Sequence, residues 1–130
     1  MRVLILCEYD GQGIRLGSRS AVTFANAVAE ETQGGVECLL LGHSLATVSQ
    51  DAAAYAPVLV ADHPALANPL ADRYAKVIAD VVKQRGCDLV VAAATTFAKD
   101  ILPRAAGLLG VSRATLYRFL EASGFLRRTT

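Results

Sequence analysis

Four short apolar runs constrain this chain more than any other feature: RVLILC at 2–7, VECLLL at 36–41, PVLVAD at 57–62 and CDLVVAA at 87–93. They are unbroken, rich in Val and Leu, and bounded by turn-forming residues. Runs of this kind belong to strands covered on both faces, as the strands of parallel sheets are. Helical spacing returns between them. In 18–32, Ala21, Phe24, Ala25, Val28 and Ala29 form one stripe, with Ser18 as the expected N-cap. Ser44 is placed to cap a short helix running to about Tyr55. In 68–84, Asn68 is the expected cap and Pro69 the first helical residue, and Leu70, Tyr74, Val77, Ile78, Val81 and Val82 share a face; Gly86 stops the helix. The repeated β-α order requires right-handed crossovers and predicts a doubly wound, mostly parallel α/β sheet, a Rossmann-like three-layer fold. Ligands of such sheets bind beyond the carboxyl ends of the strands, where strand order reverses. That directs attention to CEYDGQGIRLGS after the first run and AAATTFAKD after the fourth.

The bulk numbers agree with one domain. The chain has 130 residues, 53% of them hydrophobic, and a mean hydropathy of +0.36, which fits a sheet buried on both faces or a surface covered by another subunit. No apolar run reaches membrane-spanning length, and MRVLILCEYDGQG lacks the small-residue cleavage site of a signal peptide. Cys7, Cys38 and Cys87 each lie in or beside an apolar run, as buried thiols of a reducing compartment do, so a cytoplasmic location is expected. The net charge of +1 is unevenly placed. Residues 1–98 carry seven Lys/Arg against ten Asp/Glu, and residues 99–130 carry six against two.

The motifs point to little chemistry. DGQG at 10–13 is neither GxGxxG nor a P-loop and reads as a turn. His43 and His63 have no carboxylate or cysteine at metal-ligand spacing and are expected to line loops; neither a metal nor a catalytic residue is expected. Thr95 and Thr96, at a strand end, can cap the helix that follows or hold an anion there, and Lys99 and Arg104 add positive charge nearby. These four are the candidate cofactor-binding residues. Pro103 requires that the helix begin shortly before it or bend at it.

MRVLILCEYDGQGIRLGSRSAVTFAN, VECLLLG, VLVADHPALANPLADRYAKVIADVV and above all ATTFAKDILPRAAGLLGV resemble the N-terminal domain of the electron transfer flavoprotein α subunit, over residues 1 to about 111. Ala98 stands where that pattern usually has glycine. The resemblance implies an adenine-nucleotide-hydrolase-like α/β fold that packs against a β subunit, with flavin held mainly by a separate C-terminal domain. From residue 112 the pattern departs. The expectation is a truncated or chimeric domain (1–111) with an added tail (112–130), non-catalytic alone and active in subunit association. FAD or AMP enters only through the family, and neither is expected in this chain alone.

A second resemblance overlaps the first. PRAAGLLGVSRATLYRFLEASG is similar to the helix-turn-helix of site-specific recombinases and bacterial regulators. Ala106 is small at the helix crossing, Gly110 sits in the turn, and Leu116 faces inward. Ser112 would cap the second helix, and Arg113, Thr115, Tyr117 and Arg118 would touch DNA together with it. The same segment supports another use. Val111, Leu116, Phe119, Leu120, Phe125 and Leu126 can cover an open sheet edge or drive homo-oligomer formation. A β-type subunit, a second copy and DNA therefore stand as alternative partners, and a membrane does not.

Overall fold

The computed structural model describes residues 1–11 and 13–110. The elements are β1 (Arg2–Leu6), α1 (Leu16–Thr32), β2 (Gly35–Gly42), α2 (Ala46–Ala53), β3 (Val58–Asp62), a short 3-10 helix (Pro64–Leu66), α3 (Ala71–Arg85), β4 (Leu89–Val91) and α4 (Thr96–Leu109). All four apolar runs form strands, paired in parallel in the order β3-β2-β1-β4. With right-handed crossovers, α1 and α2 lie on one face and α3 and α4 on the other. Helix α1 packs on β1 and β2, and α3 packs along α4. The doubly wound α/β architecture read from the sequence is the one observed.

Burial explains why the strands were unbroken runs. Val3, Leu4, Ile5 and Leu6 of β1 and Cys38, Leu39, Leu40 and Leu41 of β2 are all buried. Each fully buried aliphatic side chain stabilises the fold by about 1.5–3 kcal/mol relative to exposure. Strand β3 is an edge and is only partly covered, with Val60 exposed. Strand β4 has three residues, all buried.

Three helix starts differ from the local reading, and for two of them the structure shows a long-range cause. Ser18 is not a cap. It lies inside α1, buried, and its Oγ accepts the backbone N–H of Glu8 at 2.8 Å. Ser44 does not cap α2. Its φ is 60°, and its backbone N–H and that of Leu45 donate to the Asp62 carboxylate, each at 2.9 Å. Asn68 and Pro69 precede α3, which begins at Ala71 after an extended Leu70. Phe24 and Leu70 stand at 40% and 54% exposure, outside the buried stripes assigned to them. Gly86 does end α3, at a φ of 62°. Helix α4 begins at Thr96 and continues through Pro103, which has no N–H to offer the Lys99 carbonyl.

The amino-terminal edge of the sheet is stitched closely. Arg2 and Asp88 exchange backbone hydrogen bonds, one to the Asp88 carboxylate and one from its N–H, both at 2.8 Å. Glu37 receives Arg85 at 2.6 Å and Arg2 at 3.5 Å. Gly34 lies against Met1 so tightly that a Cβ there would overlap the Met1 carbonyl. Residues 111–130 lie outside the described residues. Ser112, Arg113, Thr115, Tyr117 and Arg118 fall there, as do the helix-turn-helix reading and its edge-covering alternative.

Candidate functional site

Strand order reverses at β1, which has β2 on one side and β4 on the other. The crevice of this fold class therefore opens beyond the carboxyl ends of β1 and β4. A cleft of about 370 Å³ lies there. Leu6, Cys7, Glu8 and Tyr9 reach it from the end of β1, Leu41 from β2, Tyr74 from α3 and Phe97 from the first turn of α4.

A hydrogen bond closes the reversal point. Thr95 Oγ1 donates to Glu8 Oε2 at 2.7 Å and accepts the Ala98 N–H at 3.1 Å. Thr95 is thus the N-cap of α4, as the sequence suggested, and its donor goes to a carboxylate of its own chain. A helix N-terminus at this crevice is where related folds seat a phosphate. Here the Glu8 carboxylate stands beside it.

The loop after β1 is closed in the same manner. Tyr9 and Ile14 form an isolated antiparallel bridge, and the Asp10 N–H donates to the Gly13 carbonyl at 3.0 Å. The Gly13 N–H donates to Asp10 Oδ1 at 3.2 Å and the Ile14 N–H to Asp51 Oδ2 at 2.9 Å. Two amides of this loop, those of Gly13 and Ile14, are thus engaged by carboxylates. Asp10 and Gly13 meet as the ends of a turn do, and the carboxylates of Glu8, Asp10 and Asp51 around this loop disfavour the phosphate of a flavin or an adenine nucleotide.

Aromatic side chains make the walls. Tyr9 Oη donates to the Leu41 carbonyl at 2.8 Å, and Tyr74 Oη to the Leu66 carbonyl at 2.6 Å. The Tyr74 and Phe97 rings meet edge to face, with centroids 5.9 Å apart. Burial, then the Asp62 charge, pushes the Tyr9 phenol up, and burial, then Tyr9, does the same to Tyr74. Both hydroxyls therefore remain protonated donors. In the cleft wall, the buried Cys7 thiol is pushed well up by its interaction with the Cys38 thiol, then by burial. Cys7 is held as a thiol and is no nucleophile in the native state.

The remaining sequence candidates are placed elsewhere. Thr96 and Lys99 are exposed on α4. Arg104 bonds Asp72 at 2.7 Å and Asp100 at 3.3 Å, bridging α4 to α3. None of Thr95, Thr96, Lys99 and Arg104 lines the cleft itself, and Thr95 is tied to it through Glu8. His63 Nδ1 accepts the Ala65 N–H at 2.9 Å and caps the 3-10 helix, and His43 Nδ1 lies 3.4 Å from Asp62. Among the described residues no cluster of three or more His, Cys, Asp or Glu could hold a metal, and no helix is long and apolar enough to cross a membrane. Glu8 was missed by sequence reasoning. Its signal was available: a carboxylate immediately after the first buried strand of a doubly wound sheet.

The strand order and crevice define a doubly wound, Rossmann-like α/β domain, with the Glu8 carboxylate beside the N-terminus of α4. Residues 3–126 match the family model of the electron transfer flavoprotein domain, and the chain belongs to that family. The match extends past residue 111, beyond the stretch that carries the sequence resemblance. Among curated relatives, the mitochondrial electron transfer flavoprotein subunit alpha of Oryza sativa subsp. indica is 37% identical over 119 residues, which are 86% of this chain and 33% of that protein. The electron transfer flavoprotein subunit alpha of Pseudomonas aeruginosa is 33% identical over 116 residues, 87% of this chain and 36% of its own. The acryloyl-CoA reductase electron transfer subunit beta of Anaerotignum propionicum is 33% identical over 109 residues, 82% of this chain and 30% of its own. The chain spans about a third of the length of these relatives.

Proposed function

We propose that this chain serves as the α-type N-terminal domain of an electron transfer flavoprotein and acts by associating with a β-type subunit, without catalysing a reaction itself. The observation that supports the reading is the family match over residues 3–126, together with a crevice in which the Glu8 carboxylate is bound to Thr95, the cap of α4. A domain of this class that does not seat a nucleotide phosphate contributes through its surfaces. Leu16 and Phe24 of α1, 77% and 40% exposed, supply apolar area of the kind subunit contacts use. The test is co-expression with a β-type electron transfer flavoprotein subunit, followed by size-exclusion chromatography and flavin absorbance of the fractions. Co-elution in a stoichiometric complex is expected. Separate elution at micromolar concentrations of both chains overturns the proposal, and a larger species formed by this chain alone would favour self-association in its place.

A further inference from the structure

We propose that the cleft beyond β1 and β4 binds a flat cationic group, an amidinium or guanidinium, through Glu8. The proposal does not depend on the family reading. Thr95 fixes the Glu8 carboxylate through Oε2, and Oε1 has no hydrogen-bond partner among the described residues. No Lys, Arg or His among them forms an ion pair with Glu8. A half-buried carboxylate with one committed and one available oxygen is a preorganised acceptor, and charge-assisted hydrogen bonds from a planar nitrogen cation are the strongest it can take. The same charge turns anions away.

The walls suit the same ligand. Tyr9, Tyr74 and Phe97 line the cleft with Glu8. The two tyrosine hydroxyls are committed to the Leu41 and Leu66 carbonyls, which fixes their rings. Fixed rings attract cations to their faces, most strongly where water is partly excluded. About 370 Å³ holds a ring-bearing amidine or the end of an arginine side chain. Asp62, close enough to Tyr9 to raise its phenol, adds negative potential on the β2 side. The opposing group is Arg15, an exposed residue that also lines the cleft and whose N–H donates to the Glu8 carbonyl at 2.9 Å. A cationic ligand competes with its field, so removing that charge should tighten binding.

The full chain, labelled with 15N, is titrated with benzamidine, with N-acetyl-arginine amide and with AMP. Benzamidine should bind with a Kd on the order of 1 mM, the range set by its few heavy atoms, and the amide shifts should cluster around Tyr9, Tyr74 and Phe97. Glu8→Gln keeps an acceptor for Thr95 and removes the charge, and it should weaken binding about tenfold or more. Arg15→Gln should leave binding equal or tighter. Tighter binding of benzamidine than of the arginine derivative assigns the cleft to a free small cation, and the reverse assigns it to a side chain presented by a polypeptide; either supports the proposal. If neither cation binds, if the shifts cluster elsewhere, if AMP binds better than both, or if Arg15→Gln weakens binding, the proposal is overturned. Should Glu8→Gln fail to fold, the wild-type shift map and the Arg15→Gln titration still decide the matter.

Discussion

Replacing Thr95 by valine removes two interactions at once while keeping the shape of the side chain. The cap to the Ala98 N–H is lost, at a typical cost of about 1 kcal/mol. The hydrogen bond to Glu8 is lost as well, at about 1.5 kcal/mol, the low end for a bond to a charged group because the site is only half-buried. The sum is roughly 2.5 kcal/mol, and for a domain of this size about 4 °C of Tm accompanies each kcal/mol, so a fall of roughly 10 °C is expected. Urea unfolding followed by circular dichroism should show the same loss in the midpoint with an unchanged slope. Thr95→Ser retains the oxygen and should recover most of the loss. A double-mutant cycle with Glu8→Gln should give a coupling of about 1 kcal/mol. The reasoning fails if Thr95→Val melts within about 3 °C of wild type, or if Thr95→Ser is as unstable as Thr95→Val.

Gly34→Ala would drive a methyl group into the Met1 carbonyl and should destabilise by about 2–3 kcal/mol; Gly35→Ala, with open space around the added Cβ, is the control and should be nearly neutral by the same denaturation assay. Pro103→Ala restores an N–H for the Lys99 carbonyl inside α4 and should stabilise by about 1–2 kcal/mol once the more flexible unfolded chain is counted; a lower midpoint in urea refutes it. The Leu45 and Ser44 N–H groups, with His43, hold the Asp62 carboxyl below its ordinary 3.8. Its stabilising contribution is therefore full above that value and is lost as pH falls through the lower, folded one. Asp62→Asn should make the acid limb of a stability-versus-pH curve shallower, and an unchanged limb would count against the Asp62 hold on the Ser44 and Leu45 amides.

The sheet was legible because a strand buried on both faces cannot hide its composition. RVLILC and VECLLL are apolar apart from Arg2 and Glu37, and the apolar residues from Val3 to Leu6 and from Cys38 to Leu41 are the ones buried in β1 and β2. Gly86 was legible for a similarly local reason, the left-handed backbone at the end of α3. The starts of α1 and α2 were not. Asp62 holds the backbone leading into α2 from 17 and 18 residues away, and Ser18 is drawn into the core by the Glu8 N–H. Sequence spacing carries no trace of such partners. Within the candidate site, Thr95 was found because capping is a local act. Glu8 was not, since its meaning depends on Thr95 lying 87 residues further along the chain. Arg104 was placed near the cleft on charge alone, whereas Asp72 and Asp100 hold it against α3.

The chain has four tyrosines and no tryptophan, and two of the tyrosines, Tyr9 and Tyr74, stand in the cleft with their hydroxyls on backbone carbonyls. Tyrosine emission and near-ultraviolet dichroism are therefore weighted toward the cleft without any label being added. A small molecule that enters and disturbs either hydrogen bond announces itself in the native spectrum, and one that docks on the outer helices leaves those two fluorophores as they were. The walls of the cleft are also its optical reporter.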